Sequence, residues 1–419
     1  MGVNERSRIL TRIADLIDEK HEALALAESI DNGKPLSLAR KVDIPRASAN
    51  MRFFAQAITQ FSSESHEMTD AINYTLREPL GVIGTISPWN LPLYLFTWKI
   101  APALAAGNTV IAKPSEVTPM SAYLFGEICI EAGLPAGVLN IVQGEGTKVG
   151  ANMTSHPNIK AISFTGSTRV GQEIARVGAP MFKKLSLEMG GKNPNIIFED
   201  CDYEDMLSTT LRSSFANQGQ ICLCGSRIYV EESLYEKFKH DFVERAKKLK
   251  VGPPLDPKTD TGAIVSKPHY EKILSYIEIA KEEGGTILCG GKALHPEGVE
   301  NGWYIAPTII ADLGPECRTN QEEIFGPVVS ITPFKKIEEA IQYANSTNYG
   351  LSCTIWTQNL GKAHRLAREI QSGIIWINTW LQRDLRTPFG GMKHSGVGRE
   401  GGLEALRFFT EPKNVCIKY

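Results

Sequence analysis

Gly81-Val-Ile-Gly-Thr-Ile86-Ser-Pro-Trp-Asn90 reads as a short apolar strand running into a polar turn, and the chain then repeats that rhythm. After a helix around Trp98 to Ala105 comes Thr109-Val-Ile-Ala112, closed by Lys113-Pro-Ser-Glu116. A helix from about Pro119 to Glu131 leads to Leu139-Asn-Ile-Val142, and Ala161-Ile-Ser-Phe164 runs into Thr165-Gly166-Ser167 ahead of another helix. Apolar runs alternating with helical patterns predict a parallel sheet covered on both faces. Ligands of such sheets bind beyond the carboxyl ends of the strands, where each of these polar motifs falls.

Toward the N-terminus, Arg6 to Ile30 carries apolar residues at helical spacing, and Asn32-Gly33-Lys-Pro35 supplies a stop. A second helical pattern from about Ile44 to Phe61 carries Arg46 and Arg52, a polar stretch follows from Ser62 to Ala71, and Ile72 to Arg77 alternates as a strand or extended arm. Toward the C-terminus, Lys184-Leu-Ser-Leu-Glu188-Met-Gly-Gly191 marks the crossing into a second α/β unit. Its expected parts are Asn195 to Phe198, a helix before Cys222, Arg227 to Val230, a helix Leu234 to Leu249, a helix Ile337 to Ser346 and a strand Ile374 to Ile377. Gly284 to Gly302 reads as a Gly-rich surface connection and Pro388 to Glu400 as loop.

At 419 residues the chain exceeds one hydrophobic core, so two domains are expected. A net charge of −2 leaves no electrostatic footprint for nucleic acid or an anionic membrane. The apolar region Leu91 to Ala112 is broken by Lys99, Pro102 and Asn108, so it reads as buried core and not as a membrane span. Eight cysteines, scattered singly apart from Cys222-Leu-Cys224, suit free thiols in a reducing, cytoplasmic compartment, with no apolar signal core at the start. Without clustered histidines beside it, a lone Cys-x-Cys is a weak zinc signal, and no metal is expected.

Several residues have the chemistry for a reaction site. Phe215-Ala-Asn-Gln-Gly-Gln-Ile-Cys222 places a cysteine after a tight turn whose amides can offer donors to negative charge. Read alone, such a cysteine is more often an inert buried side chain than a nucleophile. Asn90 is an oxyanion donor or a turn cap; Lys113 and Glu116 are a hydroxyl-gripping pair or solvated loop charges. Gly144-Glu-Gly146 and Thr165-Gly166-Ser167 precede helices whose N-termini suit phosphate, but no intact Gly-x-Gly-x-x-Gly follows a strand. Glu188 is a general base on a flexible turn or a surface acid.

Taken together, Pro-Trp89-Asn90, Lys113-Pro-Ser-Glu116, Phe-Thr-Gly166-Ser167, Leu-Glu188-Met-Gly-Gly-Lys, Gly-Gln-Ile-Cys222, Glu323-Ile-Phe325-Gly-Pro and Pro-Phe389-Gly-Gly are far more specific than their parts. In order and spacing the chain resembles the aldehyde dehydrogenase superfamily from its first helix to its last strand. The resemblance implies a Rossmann-type parallel-sheet NAD-binding domain (1–61 and 78–190), a second α/β catalytic domain (191–394) and a β oligomerisation arm (62–77 and 410–419). It further implies a homodimer or homotetramer, no metal, and a chain lacking the family's N-terminal hairpin.

The resemblance also assigns roles. Cys222 matches the nucleophile, Glu188 the general base and Asn90 the oxyanion donor. Lys113 and Glu116 match the residues on the adenosine ribose, and Ser167 a phosphate contact, with Trp89, Gly146 and Gly166 in the same cofactor cleft. Glu323 and Phe325 match those positioning the nicotinamide. The implied reaction is NAD-dependent oxidation of an aldehyde to an acid through a thiohemiacetal and a thioester on the cysteine.

Trp380-Leu-Gln-Arg383-Asp-Leu-Arg386-Thr-Pro-Phe389 looks like the subgroup acting on 2-aminomuconic and 2-hydroxymuconic semialdehydes. Aligned on the family, Arg46, Arg383 and Phe389 line the aldehyde entrance, where Arg suits a carboxylate through its planar fork of donors. Two other readings stay open, a broad or retinal-type enzyme and a silent member acting as a binding subunit. The arginines themselves could instead pair with Asp43 and Asp384.

Overall fold

The computed structural model describes residues 1–419. Two sheets lie at its centre. The first has six strands in the spatial order Gly396–Val397, Lys184–Glu188, Ile159–Thr165, Val82–Ile86, Thr109–Lys113 and Leu139–Ile141, parallel except for the short outer strand Gly396–Val397. From Val82–Ile86 the chain builds outward on one side, then returns to place Ile159–Thr165 on the other. That reversal opens a crevice at the strand ends, where Ile86 sits beside Lys113 and Phe164, and Thr165 beside Glu188.

The second sheet has seven strands, in the order Thr286–Cys289, Thr308–Ala311, Val328–Phe334, Gly225–Glu231, Asn193–Ile197, Ser352–Trp356 and Ile374–Ile377. Only Thr286–Cys289 is antiparallel. A separate three-stranded ribbon joins Ser65–Glu67, Ala71–Pro79 and Thr410–Lys418, both ends of the chain's middle and C-terminal excursions. No helix is long and apolar enough to cross a membrane.

Several expectations from the sequence need correction. The N-terminal helix is two helices, Val3–Glu19 and His21–Asn32, turning at Lys20 without glycine or proline. The helix after Asn90 begins at Pro92 and passes through Pro102, tolerated because its buried surroundings favour helix over the local break. The Gly284 to Gly302 connection contributes the edge strand Thr286–Cys289, and the Pro388 to Glu400 loop carries two two-residue strands, Met392–Lys393 and Gly396–Val397. The second amphipathic pattern starts earlier: Leu36–Leu38 is helical, the turns widen to π geometry over Ala39–Asp43, and Ile44–Ala57 continues as α-helix.

The largest core explains how these parts hold one site. It runs from Ile13, Leu16 and Ile17 through Ala47, Met51 and Phe54 to Phe96 and Ile100, and onward to Ile221, Cys224, Trp376 and Trp380. Each fully buried aliphatic or aromatic side chain there stabilises the fold by about 1.5–3 kcal/mol. The N-terminal helices, the first sheet and the cysteine loop therefore pack as one body.

Candidate active site

Cys222 stands where cavities meet. It lines a tunnel of about 630 Å³ together with Arg46, Tyr94, Glu188, Arg383 and Phe389. It also lines a cleft of about 230 Å³ with Trp89, Asn90, Gly166, Ser167, Glu323 and Phe325. The approach to it is strained: Asn217 and Gln218 hold φ of 51° and 58°, and Gly219 follows at 69°. A side chain at Gly219 would collide with the Gly326 carbonyl, so the Gln-Gly-Gln turn and the Phe-Gly-Pro turn must approach backbone to backbone. The following residues are tied down by Asn193, whose Nδ2 donates to the carbonyls of Cys222 at 2.7 Å and Cys224 at 2.9 Å. Burial pushes the Cys222 thiol up to about 12, with Glu323 and Glu188 adding to the effect. Cys224 packs into the core and does not line the tunnel.

Asn90 is buried, and its Nδ2 donates to the Gln220 carbonyl at 3.0 Å, which fixes its carboxamide beside the cysteine loop. The Cys222 amide donates to no group of the chain. Glu188 ends a strand and is buried, so it is neither on a flexible turn nor a surface acid. Both its carboxylate oxygens lack a partner. Burial raises its pKa well above the ordinary carboxylate range, Glu400 raises it further, and Lys99, Arg399 and Arg383 oppose the shift. Gly390 leaves room for it, since a Cβ there would fall 2.8 Å from Glu188 Oε1. Lys99 Nζ donates to Glu400 Oε1 at 2.7 Å and to Ser163 Oγ at 3.2 Å, a buried trio the sequence reading missed.

In the crevice Lys113 is buried, not solvated, and pairs with Glu116 at 2.9 Å. Ser167 caps the helix Thr168–Gly178, its Oγ accepting from Val170 N at 3.4 Å. Glu116 and Gly146 lie on a further crevice of about 770 Å³, reaching Arg169 and Val170. Glu323 Oε1 accepts from Gly191 N at 2.9 Å, and its carboxylate occupies the space a Gly190 side chain would fill. Trp89 packs against Phe325 and against His269, with ring centroids 5.3 and 5.1 Å apart. His269 Nε2 lies 2.7 Å from the Phe325 carbonyl and its pKa is lowered to about 4 by burial; neither His269 nor the neighbouring Lys272 was foreseen. An aromatic box, a carboxylate held by a main-chain amide and a crevice ending on a helix N-terminus with a Lys–Glu pair fit a dinucleotide.

The tunnel holds both arginines, and the local pairings considered for them do not form. Asp43 pairs with Lys34 at 2.8 Å and Asp384 with Arg386. Arg46 lies over Tyr94 and Trp98, with its Nε donating to Asn50 Oδ1 at 3.1 Å and its buried Nη2 unpartnered. Arg383 lies over Phe389 at 3.8 Å and Trp98 at 5.3 Å and donates from Nη1 to Tyr94 Oη at 2.9 Å. Burial lowers the Arg46 pKa, opposed by Tyr94 and reinforced by Arg383. Two guanidiniums thus face one cavity without a carboxylate of their own.

Residues 1–415 match the model of the aldehyde dehydrogenase family. A 2-aminomuconic semialdehyde dehydrogenase of Bos taurus is 52% identical over 420 residues, covering 99% of this chain and 86% of the relative. A 2-hydroxymuconic semialdehyde dehydrogenase of Pseudomonas sp. (strain CF600) is 48% identical over 425 residues, covering 100% and 87%. The NAD+ complex of an aldehyde dehydrogenase from Bacillus cereus superposes with a TM-score of 0.97 at 40% identity, covering 100% of this chain and 84% of that one. The chain belongs to the aldehyde dehydrogenase family.

Proposed function

We propose that the chain oxidises a carboxylated semialdehyde, such as 2-aminomuconic semialdehyde, to the acid with NAD. The observation that carries the substrate class is the pair Arg46 and Arg383, stacked on rings in the tunnel with no carboxylate partner. Desolvated guanidiniums are costly unless an anion enters, and a carboxylate matches their fork of donors. The names of the relatives support the same class.

In this reading Cys222 Sγ bonds to the aldehyde carbon while the thiol proton passes to the carbonyl oxygen, giving a thiohemiacetal. The Asn90 carboxamide and the free Cys222 amide stabilise the charge on that oxygen as the bond forms. A buried carboxyl raised above the ordinary carboxylate range suits Glu188 to the later transfer of a proton from water. Collapse of the thiohemiacetal expels a hydride from the former carbonyl carbon and a proton from its hydroxyl, leaving a thioester on Cys222. Bound NAD supplies the hydride acceptor, and Trp89, Lys113, Glu116, Ser167, Glu323 and Phe325 would hold it. Glu188 then takes a proton from water, whose oxygen displaces Cys222 from the acyl carbon and frees the acid.

The ribbon of Ser65–Glu67, Ala71–Pro79 and Thr410–Lys418 belongs, in the same proposal, to contacts of a homodimer or homotetramer, for Thr410–Lys418 leaves one strand edge unpaired. Steady-state NADH formation with a panel of carboxylated and neutral aldehydes tests the substrate class. Higher kcat/KM for the carboxylated members is expected, and equal values across the panel would return the chain to broad specificity.

A further inference from the structure

Behind Asn90 lies a buried ion cluster that no step above uses. Glu28, Lys34 and Asp43 are all fully buried. Lys34 Nζ donates to Asp43 Oδ1 at 2.8 Å and stands 3.6 Å from Glu28 Oε2. Its third contact is the main-chain carbonyl of Asn90, at 3.1 Å. The same carbonyl accepts from Asn217 Nδ2 at 2.9 Å, on the strained turn before Cys222. Glu28 Oε1 in turn accepts from Leu93 N at 2.8 Å and Ser121 Oγ at 2.6 Å, so the cluster reaches the start of the helix that follows Asn90. Trp89 is held likewise, its carbonyl accepting from Asn32 Nδ2 at 2.9 Å.

Stability alone accounts poorly for this arrangement. Ions taken out of water lose more than their mutual attraction returns unless the geometry is excellent, and well-packed apolar residues in their place are often neutral or stabilising. Here Glu28 Oε2 and Asp43 Oδ2 have no hydrogen-bond partner at all, so the geometry is incomplete. What the ammonium does complete is the fixing of one peptide. With its carbonyl pinned by Lys34 and Asn217 and its side chain by Gln220, Asn90 has little freedom left.

We propose that Lys34, anchored by Asp43 and Glu28, is a positioning residue that aims the Asn90 carboxamide at the oxyanion formed on Cys222. This rests on Asn90 being the oxyanion donor. An oxyanion donor acts only where the charge develops, so a small rotation of its peptide weakens the reaction while leaving the folded chain and its cavities in place.

The test compares reactions that do and do not form an oxyanion. Lys34→Met/Asp43→Asn removes one buried cation with one buried anion, and burial has already pushed the remaining Glu28 up to about 7, so it can shed its charge. With a neutral aldehyde, which makes no demand on Arg46 or Arg383, the first-turnover burst of NADH is expected to slow by roughly ten- to a hundredfold. NAD affinity should stay as it was. Alkylation of Cys222 by iodoacetamide, which displaces iodide at a saturated carbon, should also keep its rate. Adding Asn90→Ala to the double variant should cost less than Asn90→Ala costs alone. Should the double variant fold poorly, Asp43→Asn alone loosens the anchor, and a several-fold slowing with the same split is expected. An unslowed burst in the folded variant would overturn the proposal, as would equal losses in burst, alkylation and NAD affinity. If Asn90→Ala itself leaves the burst undiminished, the oxyanion assignment falls and takes this inference with it; a slow Asn90→Ala beside a fast Lys34 variant overturns this inference alone.

Discussion

The two cavities that meet at Cys222 treat charge in opposite ways. In the cleft of Trp89 and Phe325 the charges are already answered: Glu323 takes the Gly191 amide, and Lys272 Nζ donates to the Glu323 carbonyl at 2.9 Å. In the tunnel, Arg46 and Arg383 lean on aromatic rings and Arg46 Nη2 has nothing to donate to. A cleft with its charges paired offers a ligand shape and fixed hydrogen bonds. A cavity with unmet cations selects by sign, because only an anion relieves their desolvation.

The most severe test removes the point of contact. Cys222→Ser is expected to abolish NADH formation, whereas Cys224→Ser, two residues away in the core, should keep most of it. A dead Cys224→Ser beside an active Cys222→Ser would place the junction of the two cavities on the wrong sulfur. Glu188→Gln should let the thioester accumulate, so that stopped-flow traces show a burst of NADH and then a steady rate lower by about 10²–10⁴-fold. The sign of its pH dependence follows from its burial. A raised carboxyl stays protonated beyond the usual carboxylate range and is no base there, so steady-state turnover should climb as pH rises through that raised value and fall below it. A pH profile whose rising limb survives in Glu188→Gln would assign the limb to another group.

The contrast between the cavities is sharpened by removing one charge from each. Arg383→Ala and Arg46→Ala should each lower kcat/KM for a carboxylated aldehyde by about ten- to a hundredfold, or roughly 1.5–3 kcal/mol. A neutral aliphatic aldehyde should be hardly affected, and KM for NAD should not move. Equal losses for both aldehydes would dissolve the distinction drawn above. Glu116→Gln is the mildest change: a carboxylate near the ribose repels a 2′-phosphate, so its loss should narrow the preference for NAD over NADP by several-fold to about tenfold. Equal efficiency of the unmodified protein with both cofactors would remove the premise.

The same contrast governs what the sequence discloses. The cleft residues Asn90, Ser167 and Glu323 sit in short contiguous motifs, as do Lys113 and, in the tunnel, Glu188, so all five stand out by type and spacing. Tunnel residues come from remote segments. Tyr94 and Arg383 share a hydrogen bond across 289 positions, and Lys99 and Glu400 across 301. No window of sequence contains such a pair, and Arg46 was visible only through resemblance to a family. In the second sheet, Thr308–Ala311, Val328–Phe334 and Ser352–Trp356 went unread because strands covered on both faces show no alternation and lie among turn residues. The turn at Lys20 escaped for another reason, since tertiary packing and no local breaker ends the first helix there.

The π-wide turn at Ala39–Asp43 has a consequence for how this chain tolerates insertion and deletion. A wide turn accommodates one residue more than an α-helix would. Leu38, Val42, Arg46 and Ala49 share the tunnel face, while Asp43 turns the other way to meet Lys34. Loss of a single residue here would let the helix close to ordinary α geometry without breaking it. With Ala47, Met51 and Phe54 locked in the core, the preceding turns would rotate by about one residue's arc, roughly 100°. Leu38 and Asp43 could not then both keep their present neighbours. A one-residue shortening in this exposed-looking stretch would thus be read out as altered chemistry, where the same change in the loop around Glu297 would pass unnoticed.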